Sequence, residues 1–492
     1  MTQPFRTTTG GRVDRSQPLS FTFDGKRLKG LTGDTLASAL LANGIHLVGR
    51  SFKYHRPRGI LTAGSDEPNA LMRVGTDQSE HTPNTRATEI ELHDGLEVKS
   101  QNCWPSLRYD LGVIADFLSP LIPAGFYYKT FMWPPRAWRA LYEPTIRAVA
   151  GLGQAPTVPD ASHYAQRYAH CDVLVIGAGP AGLAAASAAA ECGARVVLCD
   201  EQFEFGGSLL SEPNARVMGE DSWTWVKEAV SRLAGRQSVT LLPRTTAFGF
   251  FRDNMVGLVE CVNERDSTKP RERMWQIRAR EVVFATGAIE RPLVFPGNDR
   301  PAVMLAGAAR AYLHRFSVKA GTRAVVVTGH DSAYRAALDL AAAGIEIAAI
   351  VDLRATADEQ LSTAARTAGV PILMNSAIGG TSGRLRVKAV DIVELYTGRS
   401  GIRREQCDLV LMSQGFTPSV HLFSQSGGTL RFDDRLDAFV PGASVARERS
   451  AGACRGIFEL STVISDGFAA GEEAAKAAGF VAVGSRPAFD HN

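Results

Sequence analysis

The sequence predicts an α/β fold in which a small β-rich module precedes two strand–loop–helix–strand units. Three observations predict it. CDVLVIGAGPAGLAAASAAAECGARVVLCDEQ (residues 171–202) is an apolar strand, a glycine loop, a small-residue helix, a second strand and an acid, in register. RAVVVTGHDSAYRAALDLAAAGIEIAAIVD (residues 323–352) repeats the pattern. Ahead of both, LSFTFDGKRLKGL (residues 19–31) alternates around Asp24-Gly25 like a β-hairpin.

In the first unit each residue type has a physical task. Residues 172–176 read as a buried parallel strand, 181–191 as a helix and 195–198 as a second strand. Gly177 permits the tight turn, Gly179 lets backbone approach a pyrophosphate, and Gly182 lets helix pack on strand. Free N–H groups and the dipole at the helix start favour the anion. Gly177, Ala178, Gly179, Pro180, Ala181 and Gly182 are therefore candidate cofactor contacts. Asp200, followed by Glu201, stands near where an acid meets ribose hydroxyls. This is a dinucleotide-binding Rossmann fingerprint, and by itself it admits either FAD or NAD.

The 492 residues leave room for about three domains at roughly 150 residues each. Apolar residues at 45% and charged residues at 21% describe an ordinary globular chain. A net charge of +3 argues for neither nucleic acid nor a membrane surface. No apolar run reaches the ~20 residues that span a bilayer, and the polar start MTQPFRTTTGGRVDR lacks the apolar segment of a signal peptide. Seven scattered cysteines form no C-x-x-C, so there is neither a zinc spacing nor a redox dithiol. A reducing cytoplasm is the expected setting.

Residues 1–100 form the β-rich module, with residues 35–42 as a helix capped by Asp34. Residues 101–165 are rich in Trp, Tyr, Phe and Pro, too apolar for a solvated linker, and are expected to pack on other domains or a partner protein. Residues 166–295 and 420–480 make the first dinucleotide-binding domain, and 296–419 an inserted second one.

EVVFATGAIERP (residues 281–292) is an apolar strand ending in Ala285-Thr286-Gly287, which makes Gly287 a further candidate contact. It resembles the chain-crossing signature of two-domain flavoproteins of the glutathione and thioredoxin reductase type. Residues 323–352 are similar to the NAD(P)H domain those enzymes insert. Here Thr328 and His330 stand where that family has glycine, and a side chain at the close approach pushes a pyrophosphate away. The inserted domain is therefore expected to be a vestigial scaffold. The family's Ala-Gly-Asp, whose carboxylate binds the ribityl chain of FAD, becomes Ala451-Gly452-Ala453. NAD has no ribityl chain, so the lost acid suits NAD better than FAD. Asp466 reads as a solvated residue of a terminal helix whose 467–475 stretch is small and packing-like.

Residues 33–71 (GDTLASALLANGIHLVGRSFKYHRPRGILTAGSDEPNAL), 100–107 (SQNCWPSL), 123–134 (PAGFYYKTFMWP) and 168–182 together resemble the alpha subunit of heterotetrameric sarcosine oxidase, over essentially the whole chain. The resemblance implies NAD in the first Rossmann site, with contacts at Gly177, Ala178, Gly179, Asp200, Glu201, Gln202 and Ser208. A strand near Thr246-Ala247 and the segment from Phe458 to Thr462 would close the pocket. It further implies a hetero-oligomer. A beta-type subunit carrying FAD and covalent FMN oxidises the N-methyl amine, small subunits join it, and FMN lies at the subunit interface. The family's alpha subunit continues into a folate-binding, aminomethyltransferase-like half, whereas this chain stops at Asn492. A separate polypeptide supplies that half, the one-carbon unit leaves as formaldehyde, or the chain is a truncated form.

The module is also similar to a plant-type [2Fe–2S] ferredoxin, a β-grasp fold. Related opine oxidase and hydrogen cyanide synthase subunits keep a Cys-rich loop after Arg-Gly-Ile. Here Thr62, Glu67 and Ala70 occupy three cysteine positions and only Cys103 remains for the fourth. A cluster needs four thiolates or close substitutes, so the module is expected to be structural and to lack the cluster.

Lys53, His55, Arg56 and Arg58 form a basic loop that either meets an anion at a subunit interface, such as a flavin phosphate, or is solvated and internally paired. Cys192 and Cys199 read as core thiols, and Trp133, Trp138 and Tyr142 as interface or core aromatics. No G-x-S-x-G, H-E-x-x-H or paired-carboxylate motif marks a catalytic residue or a metal site. That agrees with chemistry carried by a partner's flavins. The sequence thus predicts an NAD-binding alpha-type subunit of a flavin-dependent oxidase of sarcosine or a related secondary amine acid. The alternative is an FAD-binding subunit of an opine or amino-acid dehydrogenase or hydrogen cyanide synthase-like complex. A third reading is a non-catalytic assembly module.

Overall fold

The computed structural model describes all residues except 1–2, 76–80, 122–124, 126–132, 151–152, 218, 263–267, 396–401 and 482–492. Most of the PAGFYYKTFMWP stretch lies outside the described residues. The chain forms two compact units, Met1–Ala161 with Arg291–Gly415 and Ser162–Glu290 with Phe416–Asn492.

In the first unit the N-terminal hairpin pairs Asp14–Phe23 with Lys26–Thr32. It turns at Asp24 (φ 47°) and Gly25 (φ 77°), the two consecutive positive φ values that match a two-residue turn to strand twist. Five strands follow the order Lys26–Thr32, Asp14–Phe23, Leu96–Ser100, Leu71–Val74, Thr82–Arg86. The fully buried helix Leu36–Ala42 belongs to the same module. Its N-cap is Thr35 rather than Asp34. Thr35 Oγ1 accepts from the Ser38 N–H and Ser38 Oγ from the Thr35 N–H, a reciprocal capping box. Asp34 is drawn away by Arg6 (2.6 Å) and the Leu31 amide, because a buried carboxylate must be paired.

The later part of this unit is a parallel sheet in the order Val303–Leu305, Leu409–Ser413, Arg323–Thr328, Glu346–Asp352, Ile372–Leu373. The helix Ser332–Ala342 connects the two central expected strands. Between module and sheet in sequence, residues 104–118 leave apolar side chains in solvent, with Trp104 69% and Phe117 87% exposed, and Trp133 is 81% exposed. Among the described residues no helix is long and apolar enough to cross a membrane.

The second unit is built on a sheet ordered Val239–Leu242, Val196–Cys199, Tyr164–Ile176, Glu272–Phe284, Met255–Cys261, Thr245–Phe251, with Glu448–Ser450 also paired to Glu272–Phe284. The strand before the glycine loop is longer than its apolar half suggests, because residues from Tyr164 onward pair in parallel register with Glu272 onward. The fingerprint helix Pro180–Glu191 and the terminal helix Leu460–Ala477 touch backbone to backbone. A Cβ on Gly467 would stand 2.3 Å from the Ala181 carbonyl oxygen, and one on Gly471 2.1 Å from that of Ala185. Replacing Gly467 by Val must part these helices. Overpacking of this kind costs about 1–3 kcal/mol, and the thermal unfolding midpoint of the chain is expected to fall accordingly.

Candidate functional site: the nucleotide loop

Backbone contact also sets the glycine loop. Gly177 has φ 97°, and a Cβ there would stand 2.3 Å from the Ala285 oxygen. A Cβ on Gly182 would stand 1.8 Å from the Gly177 oxygen. The Gly177 N–H donates to the Cys199 carbonyl at 2.9 Å, which ties the loop to the second strand. Gly179 is the N-cap of the fingerprint helix and Pro180 opens it, where a missing N–H costs nothing. No side-chain hydrogen bond caps this helix. Its first-turn amides are the donors that a pyrophosphate requires.

Against this loop lies the pair Gly206 and Gly207, with φ 135° and 55°. The Gly206 N–H donates to the Ala178 oxygen at 2.9 Å. A Cβ on Gly207 would stand 2.7 Å from Gly179 Cα. The exposed Ser208 is thereby held beside the loop. The stretch FGGSLL carries both Ser208 and the glycine pair that puts it there.

Asp200 is turned toward the loop itself. Its Oδ2 accepts from the Ala178 N–H at 2.6 Å and its Oδ1 from the Gln202 N–H at 2.9 Å. The Asp200 carbonyl accepts from Thr245 (2.7 Å) and the Gln202 carbonyl from Arg244 (2.9 Å). These bonds bring Thr246 and Ala247 next to the Asp200–Gln202 corner, where Glu201 faces solvent.

The remaining candidates belong to the C-terminal return. Gly287, with φ 70°, accepts from the Ser419 N–H at 3.0 Å. Gly452, with φ 72°, brings its turn onto the fingerprint helix, where a Cβ would stand 2.7 Å from Ala181 Cβ. Ala453 in this turn carries no carboxylate. Asp466 is not the solvated helix residue expected from sequence. Its side chain is only 15% exposed, accepts from the Gly452 N–H at 2.8 Å and pairs with Arg455 at 2.9 Å. The Gly452 amide, turned away from any strand, needs an acceptor, and the helix supplies one.

Phe458 packs near Phe416 with ring centroids 5.7 Å apart. Thr462 sits in the first turn of the terminal helix, whose N-cap is Glu459. Glu459 Oε2 accepts from the Thr462 N–H (2.7 Å) and hydroxyl (2.6 Å). The sequence places Glu459 in the pocket segment without revealing its cap, and shows Asp466 without its bond to Gly452.

The structure therefore joins Gly177–Gly182, Asp200–Gln202, Ser208 and Thr246-Ala247 by one run of backbone contacts. Phe458 and Thr462 follow the Gly452 turn that abuts Ala181, and Gly287 stands on the crossing strand's return.

The loop at residues 328–333 in the first unit is closed upon itself. The His330 N–H donates to Thr328 Oγ1 at 2.8 Å, the Ser332 N–H to His330 Nδ1 at 3.2 Å, and the Gly329 N–H to the Ser413 carbonyl at 3.2 Å. At the end of the next strand Asp352 accepts from the Tyr334 hydroxyl at 2.9 Å and from Arg354 at 2.8 Å. Arg354 also pairs with Asp331 at 2.7 Å.

The basic loop is internally paired. Arg56 meets Asp116 at 2.8 Å, Arg58 pairs with Asp299, and the buried His55 Nδ1 lies 2.7 Å from Asp110 Oδ2. Cys199 is fully buried, as a core thiol should be, while Cys192 is half-buried.

Partial burial raises the pKa of Glu459, but the hydrogen bonds from Thr462 and Ser461 outweigh it and bring it down to about 2. A depressed carboxylate stabilises the fold fully above its unfolded value near 4.5, and that stabilisation is lost as pH falls through about 2. Thermal unfolding of the native chain and of Glu459→Gln is therefore expected to differ at neutral pH and to converge at the acid end.

A model of the pyridine nucleotide-disulphide oxidoreductase family matches residues 171–441, and a model of a 2Fe-2S iron-sulfur cluster binding domain matches residues 16–103. The sarcosine oxidase alpha subunit of Rhizobium meliloti (strain 1021) is 47% identical over 472 residues, 95% of this chain and 47% of that protein. Its counterpart of the same name from Corynebacterium sp. (strain P-1) is 38% identical over 98% of this chain and 46% of its own length. An opine oxidase subunit of Agrobacterium tumefaciens (strain Ach5) is 30% identical over 55% of this chain and 57% of that protein. The chain spans about half the length of the sarcosine oxidase subunits it matches. L-proline dehydrogenase from P. horikoshii shares the fold, with TM-score 0.65 and 20% identity over 98% of this chain and 77% of that one. The chain belongs to the pyridine nucleotide-disulphide oxidoreductase family and is a homologue of sarcosine oxidase alpha subunits.

Proposed function

We propose that this chain is the NAD-binding alpha-type subunit of a heteromeric, flavin-dependent sarcosine oxidase acting on sarcosine or a related secondary amine acid. The 47% identity to a sarcosine oxidase alpha subunit over 95% of the chain carries the reading. In the first Rossmann site Gly177 and Ala178 shape the loop and the amides of Gly179, Ala181 and Gly182 meet the pyrophosphate. Asp200, Glu201 and Gln202 take the ribose end, and Ser208 the phosphate edge. Thr246, Ala247, Gly287, Phe458 and Thr462 enclose the rest. NAD is favoured over FAD because Ala453 offers no carboxylate to a ribityl chain. The self-bonded loop at residues 328–333 supports a scaffold role for the inserted domain.

The exposed Trp104, Phe117 and Trp133 support a protein partner. The assembly we infer has a beta-type flavin-carrying subunit, FMN at the interface, small additional subunits and a separate folate-binding, aminomethyltransferase-like protein, in the cytoplasm. Bound flavin would accept the electron pair of the amine, while this chain binds NAD and shapes the interface. The 30% identity to an opine oxidase subunit favours a second reading, in which the same glycine loop holds FAD.

The two readings differ in what the purified chain releases on denaturation. Colourless protein releasing NAD, identified by mass spectrometry, is expected. Yellow protein releasing FAD would move the chain to the second reading. Gly179→Val is expected to abolish the released nucleotide under either one.

A further inference from the structure

We propose that the Glu67 carboxylate takes the place of an iron–sulfur cluster as the anion around which the module's 61–70 loop folds. The inference rests on the reading of this module as cluster-free and says what replaces the cluster.

Residues 16–103 match a cluster-binding domain, yet the positions that the ferredoxin resemblance assigns to ligands carry other chemistry. Ala70 carries no donor atom. Thr62 offers a neutral hydroxyl, buried and without a hydrogen-bond partner. Burial raises the Cys103 thiol pKa, which opposes the thiolate a cluster requires. Glu67 is 1% exposed, and its two oxygens are engaged by backbone. Oε2 accepts from the N–H groups of Leu61 and Thr62, both at 2.8 Å. Oε1 accepts from those of Asn69 at 2.8 Å and Ala70 at 3.0 Å. A carboxylate has about four acceptor positions, so these four amides leave none for iron. Among the described residues no three His, Cys, Asp or Glu come together to hold a metal. The residues present do not fit a cluster.

They do fit an internal anion. Two separate stretches, 61–62 and 69–70, aim four N–H groups at one point. Converging backbone amides form a concavity that demands negative charge. In iron–sulfur proteins the cluster sulfurs accept hydrogen bonds of this kind. Here the loop supplies the acceptor from its own sequence. Burial lifts the Glu67 pKa above the usual carboxylate value, and the four amides offset part of that rise. A protonated carboxyl would turn a donor toward a donor, so the four bonds require the ionised form, whose hydrogen bonds are the stronger kind.

The gripped residues also face outward. The Leu61 carbonyl accepts from the Leu305 N–H at 2.9 Å, and the Thr62 carbonyl from the buried Tyr312 hydroxyl at 2.7 Å. Amides on one side hold Glu67 while carbonyls on the other dock the inserted domain. Glu67 thus makes the module a fixed adaptor, with no electron relay through it.

The test uses the full chain and two independent readouts. Incubated anaerobically with ferrous iron and sulfide, the native chain is expected to retain no stoichiometric iron and to gain no visible absorption. By hydrogen exchange, the amides of Leu61, Thr62, Asn69 and Ala70 are expected to be protected. Glu67→Gln, which sets an NH2 against two of them, is expected to accelerate their exchange about tenfold or more. Glu67→Asp, with a shorter reach, should expose one pair and decides the matter if the Gln variant does not fold. Retained iron and sulfide would overturn the cluster-free reading and the proposal together. Absence of iron with unchanged exchange in both variants would overturn the role of Glu67 alone.

Discussion

Backbone meets backbone without an intervening Cβ around the glycine loop and fingerprint helix of the second unit, and the neighbouring features take their places from that contact. Gly177 lies against Ala285, Gly182 against Gly177, Gly467 against Ala181 and Gly471 against Ala185. These contacts lock the crossing strand, the nucleotide loop, the fingerprint helix and the terminal helix into one body. Any side chain at these positions would occupy space already held by a carbonyl oxygen, and packed interiors yield little. The Gly206-Gly207 pair, the Asp200 corner and the Gly452 turn all approach a loop whose position is fixed this way.

Carboxylates then hold the loops that neither helix nor sheet can satisfy. Asp200 accepts from Ala178 and Gln202, Asp466 from Gly452, Glu459 from Ser461 and Thr462, and Glu67 from four amides. A charged acceptor on a backbone donor is about twice as strong as a neutral pair. Each of these acids therefore shapes a turn at a place where the chain leaves regular structure. Asp34 belongs to the same class, taking the Leu31 amide and leaving the helix cap to Thr35.

What the sequence made legible was local. The glycine loop, its strands and its helix follow from a pattern confined to some thirty residues, and the hairpin at Asp24-Gly25 from a two-residue turn. Of the strands between Val239 and Phe284, the sequence shows only the stretch near Thr246-Ala247 and the apolar end from Glu281; the full length of Glu272–Phe284 follows from its pairing with Tyr164–Ile176, which is distant in sequence. Asp466 was misread for the same reason. Its helical context is visible from neighbours, whereas its bond to Gly452 depends on a turn that only the folded return creates. Thr35 and Asp34 are adjacent and both good N-caps, so the choice fell to Arg6, which lies far from either in sequence.

The bonds around Asp352 decide what opening the loop at residues 328–333 would take. Glycine at Thr328 and His330 would open only the turn. Arg354 would still bridge Asp331 and Asp352, and the Tyr334 hydroxyl would still hold the same carboxylate. Glycine at 328 alone would take the acceptor from the His330 amide, and glycine at 330 alone the one from the Ser332 amide. Opening this loop therefore takes several substitutions together, because the turn and the Asp352 corner are held by separate sets of bonds.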